Sequence, residues 1–321
     1  MKRFAKIALA ALAAILSSQV HAQNYPTKTI RVVIPFAAGG GADTLTRLVL
    51  PSLRESFGGQ TIIVENKPGA GTILGTETVA RSAPDGYTLL VTLDQSMTMN
   101  PYLYSNLPYD PVRDFTPVSL MAMSPRLYVA NPKVGVKTLK EMVEHAKANP
   151  GKVNYGSGAV SAQVTGQQLM DVTGAKMQFI PYNGGPPALA ALLNNEVQLI
   201  IADIGTFAAA TRDGRLTGLA VSGPRRSSQL PDIPTLREAG YPELENVGFW
   251  GMWAPAGTPQ PIVAALHAAV VKAIADKEIN QKITGTGAEP ATSTPEELGA
   301  IVKRDQARWS EIIIRAGIKA N

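Results

Sequence analysis

The stretch Ile30–Thr46, IRVVIPFAAGGGADTLT, decides how the chain folds. Ile30, Val32, Val33 and Ile34 make a short apolar run rich in β-branched residues, which predicts a buried strand. Pro35 ends its hydrogen-bonding ladder. Gly39, Gly40 and Gly41 then let the backbone turn sharply and approach a ligand with no Cβ in the way. Asp43 stands near the start of a helical pattern carrying Leu45, Leu48 and Val49. Strand, glycine turn and helix start together predict an anion site, because free N–H groups and the positive end of a helix dipole point into one hollow. The plainer reading of the same residues is a tight β-to-α connection that holds nothing.

Downstream, Thr61–Val64 reads as a second strand, NKPGAGTILG as a glycine turn into a helix over Thr72–Ala80, and Tyr87–Leu93 as a third strand after the turn Pro84-Asp85-Gly86. This β-α-β-α-β order predicts a parallel sheet. Its ligand loops would lie at the carboxyl ends of the strands, over 36–43, 67–72 and 94–100. Asn100–Asp114, rich in Pro, Tyr and Asn, reads as an irregular loop. Phe115–Met121 and Arg126–Ala130 are extended runs leading into a second domain, where the pattern resumes. Helix Leu139–Ala148, strand Val153–Tyr155, a Gly/Ser turn into a helix ending near Val172, and strand Gln178–Pro181 come first. A helix after the Gly-Gly-Pro-Pro turn, strand Leu199–Ala202 ending at Asp203, short helix Thr206–Thr211 and strand Gly218–Val221 follow. Val247–Ala254 is extended and aromatic and crosses back. Pro259–Ala275 is an amphipathic helix, and Thr294 with Glu297 opens the last helix as a capping box. The expected fold is α/β with two lobes, each a mostly parallel sheet flanked by helices. Its first lobe covers 23–123, its second 124–224, and 225–321 returns to the first.

Upstream, Lys2, Arg3 and Lys6 precede an apolar run from Ile7 to Leu16 that is too short to span a bilayer. Val20-His21-Ala22 is a small-x-small site, so residues 1–22 read as a signal peptide cleaved after Ala22. Thirty Lys and Arg against 25 Asp and Glu give +5, and losing the three leader cations leaves +2, which offers no case for nucleic acid. There is no cysteine, hence no disulfide and no thiol chemistry. Export without disulfides fits a bacterial periplasm. The two histidines beyond the leader, His145 and His267, fall inside helix patterns far from any glycine loop, so neither a hydrolase triad nor a metal cluster assembles. Gly69, Gly71 and Gly75 approximate a dinucleotide fingerprint, but the last interval is one residue too long. No Lys-Ser/Thr follows any of these glycines to make a P-loop. No cofactor and no metal are expected. Several glycine- and hydroxyl-rich helix starts on two lobes remain, the profile of an anion-binding cleft.

Six motifs then point to a family. PFAAGGGAD, VENKPGAGTILGTETVA, PDGYTLL, PYNGGPPALAALLNNEVQL, LPDIPTLREAGYP and WAPAGTP, in this order, resemble the Bug family of periplasmic solute-binding proteins that serve tripartite tricarboxylate transporters. The resemblance spans the whole chain beyond the leader. It implies a Venus-flytrap fold and a ligand carboxylate held mainly by backbone groups of both lobes. By motif, contacts would come from Phe36, Ala37, Gly39, Gly40 and Gly41, with Asp43 bracing the loop. Across the cleft they would come from Ser157, Gly158, Ala159 and Ser161, from Tyr182, Asn183 and Gly184, and from Asp203. Arg126 is charged where many relatives are not, and at the lobe junction its planar fork suits a second carboxylate. A solvated hinge arginine is the other reading. Phe249, with Trp250 as the less favoured neighbour, would pack on the body of the ligand, unless it is a hinge aromatic buried in the core. The expectation is a monomeric receptor that binds a small carboxylate and delivers it to integral-membrane permease subunits. A dicarboxylate is favoured, with an aromatic one such as terephthalate ahead. An exported enzyme acting on a small acid and a sensor partner of a membrane signalling protein are the alternatives.

Overall fold

The computed structural model describes residues 25–157, 159–182 and 184–320; the expected leader and its cleavage point lie outside the described residues. Strand β1 (Ile30–Ile34) feeds helix α1 (Gly41–Ser56), and β2 (Ile62–Asn66), α2 (Ile73–Ala80) and β3 (Thr88–Leu93) follow. Both β2 and β3 pair parallel with β1, placing Val32 beside Val64 and Leu89. Two short helices, α3 (Asp94–Thr98) and α4 (Asn100–Leu103), lead to β4 (Phe115–Ser124). The chain then crosses into a second sheet. Its elements are β5 (Arg126–Ala130), α5 (Leu139–Ala148), β6 (Val153–Ser157), α6 (Val160–Thr173), β7 (Met177–Pro181), α7 (Gly185–Leu193), β8 (Leu199–Asp203), α8 (Ile204–Arg212) and β9 (Thr217–Val221). It returns through β10 (Gly248–Pro255), α9 (Gln260–Ala275), α10 (Lys277–Gly285), β11 (Glu289–Pro290) and α11 (Pro295–Ala316).

The first sheet runs β11-β4-β10-β3-β1-β2 and the second β7-β6-β8-β5-β9. Both are mixed rather than mostly parallel. The reason is the crossing: β10 enters the first sheet at the end where β3 finishes, with Trp250 opposite Leu93, so it must run antiparallel. By the same rule β5 begins where β8 ends, with Arg126 opposite Asp203. The carboxyl ends of β1, β2 and β3 on one lobe, and of β6, β7 and β8 on the other, therefore lie at the edges joined by the crossing strands.

Each sheet is covered on both faces, which is why its strands read as continuous apolar runs. Ile30, Val32 and Ile34 pack under α1 and α9, while Val33 faces the opposite layer with Leu90, Phe249 and Trp253. Each such fully buried aliphatic side chain contributes about 1.5–3 kcal/mol. The stretch after β9 stays with the second sheet: Leu230 joins one of its cores, and Leu236 and Leu244 the other. The segment expected to be an irregular loop after Asn100 contains α4. The expected ligand loop at 94–100 is the buried helix α3 and its continuation. Met99 and Leu103 pack there against Trp309 and Ile313 of α11, an apolar spacing that the Pro, Tyr and Asn content obscures. Helix α11 opens with the expected capping box, Glu297 N–H donating to Thr294 Oγ1 at 3.1 Å and Thr294 N–H to Glu297 Oε2 at 2.8 Å.

Candidate functional site

The turn between β1 and α1 is held from three sides by one carboxylate. Asp43 accepts from the Gly39 N–H at 2.9 Å, from Arg47 Nε at 2.9 Å and from Asn66 Nδ2 at 3.1 Å. Asn66, the last residue of β2, also donates to the Phe36 carbonyl at 3.2 Å. The Arg47 hydrogen bond is the main reason the Asp43 carboxyl titrates below its ordinary range. Gly39 has φ +80, a torsion that only glycine adopts without strain. Gly40 caps α1 with no side chain, so the first-turn N–H groups are left without a side-chain acceptor. Those groups and the helix dipole favour an anion.

The β2–α2 connection turns on four consecutive left-handed or otherwise positive φ values, at Gly69, Ala70, Gly71 and Thr72. Asn100 fixes it, donating to the Gly71 carbonyl at 3.0 Å and to Thr72 Oγ1 at 3.1 Å. Thr72 Oγ1 in turn meets Ser96 Oγ at 2.8 Å. Ser96 and Asn100 are marked in the sequence only as members of the expected ligand loop 94–100, and Asn66, two residues beyond the expected end of its strand, carries no such mark.

On the second lobe, the Ser157 carbonyl accepts from the Tyr182 N–H at 2.9 Å, joining the loops after β6 and β7. Helices α6 and α7 start at Ala159 and Gly184, again without a side-chain cap. By contrast Thr138, Asp276 and Thr294 cap α5, α10 and α11. Gly158 and Asn183 lie outside the described residues. Ser161 is fully buried, and its hydroxyl has no partner among the described residues. Asp203, expected among the ligand contacts, is exposed and is engaged by the helix it precedes. Its Oδ2 accepts from Thr206 Oγ1 at 2.8 Å and from the Thr206 N–H at 3.3 Å, so it caps α8.

At the crossing, Arg126 is 8% exposed and its Nε has no partner among the described residues. Asp94, at the end of β3, is 3% exposed with Oδ1 likewise unpaired. Gly248 lies between the two: a Cβ there would sit 3.5 Å from Asp94 Oδ1 and 3.6 Å from Arg126 Nη2. Burial lifts Asp94 to about 6 against the pull of Arg126, with Asp305 of α11 pushing the same way as burial. Arg126 is thus a buried hinge cation with an acid nearby, not a solvated one. The aromatic assignment is corrected. Phe249 is 0% exposed and packs with Val33, Leu90 and Met97 beneath the first sheet, where no ligand reaches it. Its neighbour Trp250 points to the other face, half-buried, with Phe36 edge-on at 5.7 Å between centroids.

Two contacts between the lobes bracket these loops. On one side Val160 and Val164 of α6 join the cluster of Met99, Leu103 and Tyr104. On the other, the start of α8 abuts the end of α10. A Cβ on Gly205 would lie 2.3 Å from the Thr286 carbonyl, and one on Gly287 2.7 Å from the Gly205 nitrogen. Gln229 Nε2 donates to the last carbonyls of α10, Thr284 at 3.0 Å and Gly285 at 2.8 Å. The negative end of one helix therefore meets the positive end of another across the lobes.

Residues 45–318 match the model of the tripartite tricarboxylate transporter family receptor. The chain is 31% identical to protein BugT of Bordetella pertussis over 307 residues, covering 95% of this chain and 94% of that one. Among solved structures, R. palustris Rpa4515 with adipate is 30% identical with a TM-score of 0.82, covering 92% of this chain and 99% of that chain. MatC of Rhodopseudomonas palustris with bound malate is 32% identical with a TM-score of 0.77, covering 90% and 100%.

Proposed function

The chain belongs to the tripartite tricarboxylate transporter receptor family, the Bug proteins, and from that premise we propose that it captures a small dicarboxylate between its lobes and hands it to membrane permease subunits. It is a solute-binding receptor and not an enzyme, and membership implies export to the periplasm. We place the cleavage after Ala22 and take the protein to act as a monomer. We draw the lobes as 25–124 with 248–320, and 125–247, since Leu236 and Leu244 pack on the second sheet.

One observation carries the carboxylate. Helices α1 and α6 begin at strand ends of facing lobes with no side-chain acceptor on their first-turn N–H groups, and α7 adds the Gly185 N–H alone, since Pro186 and Pro187 carry none. Such a hollow suits the end of any acid and discriminates little. Adipate and malate in the two structural neighbours support a second acidic end. We assign that end to Arg126, whose buried Nε has hydrogen-bonding capacity to spare. We keep an aromatic diacid such as terephthalate ahead of an aliphatic one on the half-buried Trp250, not on Phe249, which is closed off.

A thermal-shift screen across mono-, di- and tricarboxylates tests this first. A ligand at about 100 times its Kd raises stability by about 2.7 kcal/mol, and a panel in which no acid moves the melting point overturns the reading. Titration of Arg126→Ala with the best diacid and its matched monoacid tests the assignment of the second end. The diacid should lose roughly 2–5 kcal/mol, the range for stripping one partner from a buried charge pair, and the monoacid much less. Equal losses would remove the diacid assignment.

A further inference from the structure

Resting on the receptor reading above, we propose that Trp250 sets the ligand class, its indole forming the wall beside the α1 anion hollow and its Nε1–H serving as a side-chain donor there. The glycines of the turn show where the indole stands. Gly39 is required by its φ of +80, but Gly41 has no such torsion. What a side chain at position 41 meets is Trp250: a Cβ there would lie 3.1 Å from Cζ2, 3.7 Å from Cη2 and 3.8 Å from Cε2. Cζ2 and Cη2 belong to the benzo ring, so its carbon edge lies against the first residue of α1, and Nε1, bonded to Cε2, is the next atom along the same perimeter. Phe36, the residue that opens the turn, holds the ring from the side at an interplanar angle of 76°. The indole is therefore fixed by the very loop that forms the hollow.

Its chemistry follows from that position. Gly41 is exposed and Trp250 is half-buried, so the ring borders open space where the carboxylate end of a ligand is expected. Trp253 and Trp309, at 1% and 3% exposure, are closed off from it. A flat ring joined directly to a carboxylate can cover the indole while its acid group stays in the hollow, which stabilises it by apolar burial and ring–ring contact together. A puckered saturated ring carries hydrogens above and below its mean plane and is held off. The N–H adds a donor to the acid group whatever the ligand body.

Terephthalate and trans-cyclohexane-1,4-dicarboxylate have matched charge and span and differ in flatness, so calorimetric titration of the pair separates the two contributions. Trp250→Leu should weaken terephthalate about tenfold and the cyclohexane diacid less than about threefold beyond any loss common to both. Trp250→Phe should recover the preference between the two while leaving both weaker by roughly fivefold, the scale of one lost hydrogen bond. In the wild-type protein Trp250 is the indole that acrylamide reaches, and saturating terephthalate should shield it. The proposal is overturned if Trp250→Leu costs both diacids equally or neither, if Trp250→Phe does not restore their ratio, or if quenching is unchanged by terephthalate. Terephthalate failing to bind a protein that holds another carboxylate overturns this inference alone. Failure of every carboxylate overturns the receptor reading beneath it.

Discussion

Asp94 carries an ionisation that the fold resists. Burial raises it from an ordinary 3.8 to about 6, while Arg126 on β5 opposes the shift and Asp305 on α11 adds to it. Between those two pH values the folded chain holds a proton that the unfolded chain has released, so stability falls as pH rises from about 4 to 6. The gap corresponds to roughly 3 kcal/mol. Asp94→Asn should flatten the melting temperature against pH over that window, and superimposable profiles for the two proteins would contradict the burial of the charge. Asp43 acts with the opposite sign, since its lowered value stabilises the fold above the ordinary carboxylate range and the contribution is lost as pH falls. Its bracing role was suggested by the family motif PFAAGGGAD and not by local chemistry, although Gly39 and Arg47, which it binds, are its neighbours in sequence. That of Asn66 was not legible, because its approach depends on β2 pairing with β1. The exchange of Phe249 for Trp250 has a similar cause. Adjacent strand residues face opposite sides, and a sheet covered on both faces leaves no polar alternation to say which side is which.

Helix starts divide the elements into those finished by their own side chains and those left open. Asp203 finishes α8, so Asp203→Ala should cost about 1 kcal/mol of stability, the usual effect of losing a cap. Affinity for a carboxylate should not fall, because the lost group is an anion. Unchanged melting with a large loss of affinity would return Asp203 to the ligand contacts. The strands and long helices were readable from apolar runs and turn residues, down to the capping box at Thr294. The short helices α3 and α4 were hidden because their stability comes from packing against α11, which is distant in sequence. Helix α10 was missed as well. Ile283 is its one buried residue, so it carries little apolar pattern to read.

The whole molecule depends on how closely its two halves approach. Gly205 and Gly287 permit backbone-to-backbone contact between α8 and the end of α10. Gly205→Ala should force the lobes apart, shift the population toward an open form and weaken all ligands by one common factor. Overpacking of roughly 1–3 kcal/mol sets that factor at roughly 5- to 150-fold. Small-angle scattering should show a larger radius of gyration without ligand, and identical curves and affinities would refute the role of this junction. Helix α11 limits the motion further. Gln306 ties it to Met97 on the first lobe at 2.7 Å, Arg308 holds the Glu245 carbonyl at 2.7 Å on the second, and Arg315 pairs with Asp171 of α6. A helix of 22 residues is a stiff rod about 33 Å long. A rod fastened to both leaves works as the pin of a door: it permits a swing about its own length and resists shear and twist. We therefore expect a single opening coordinate, with a solute leaving on the side away from the pin, and a direction of exit fixed only once the last helix of the chain is in place.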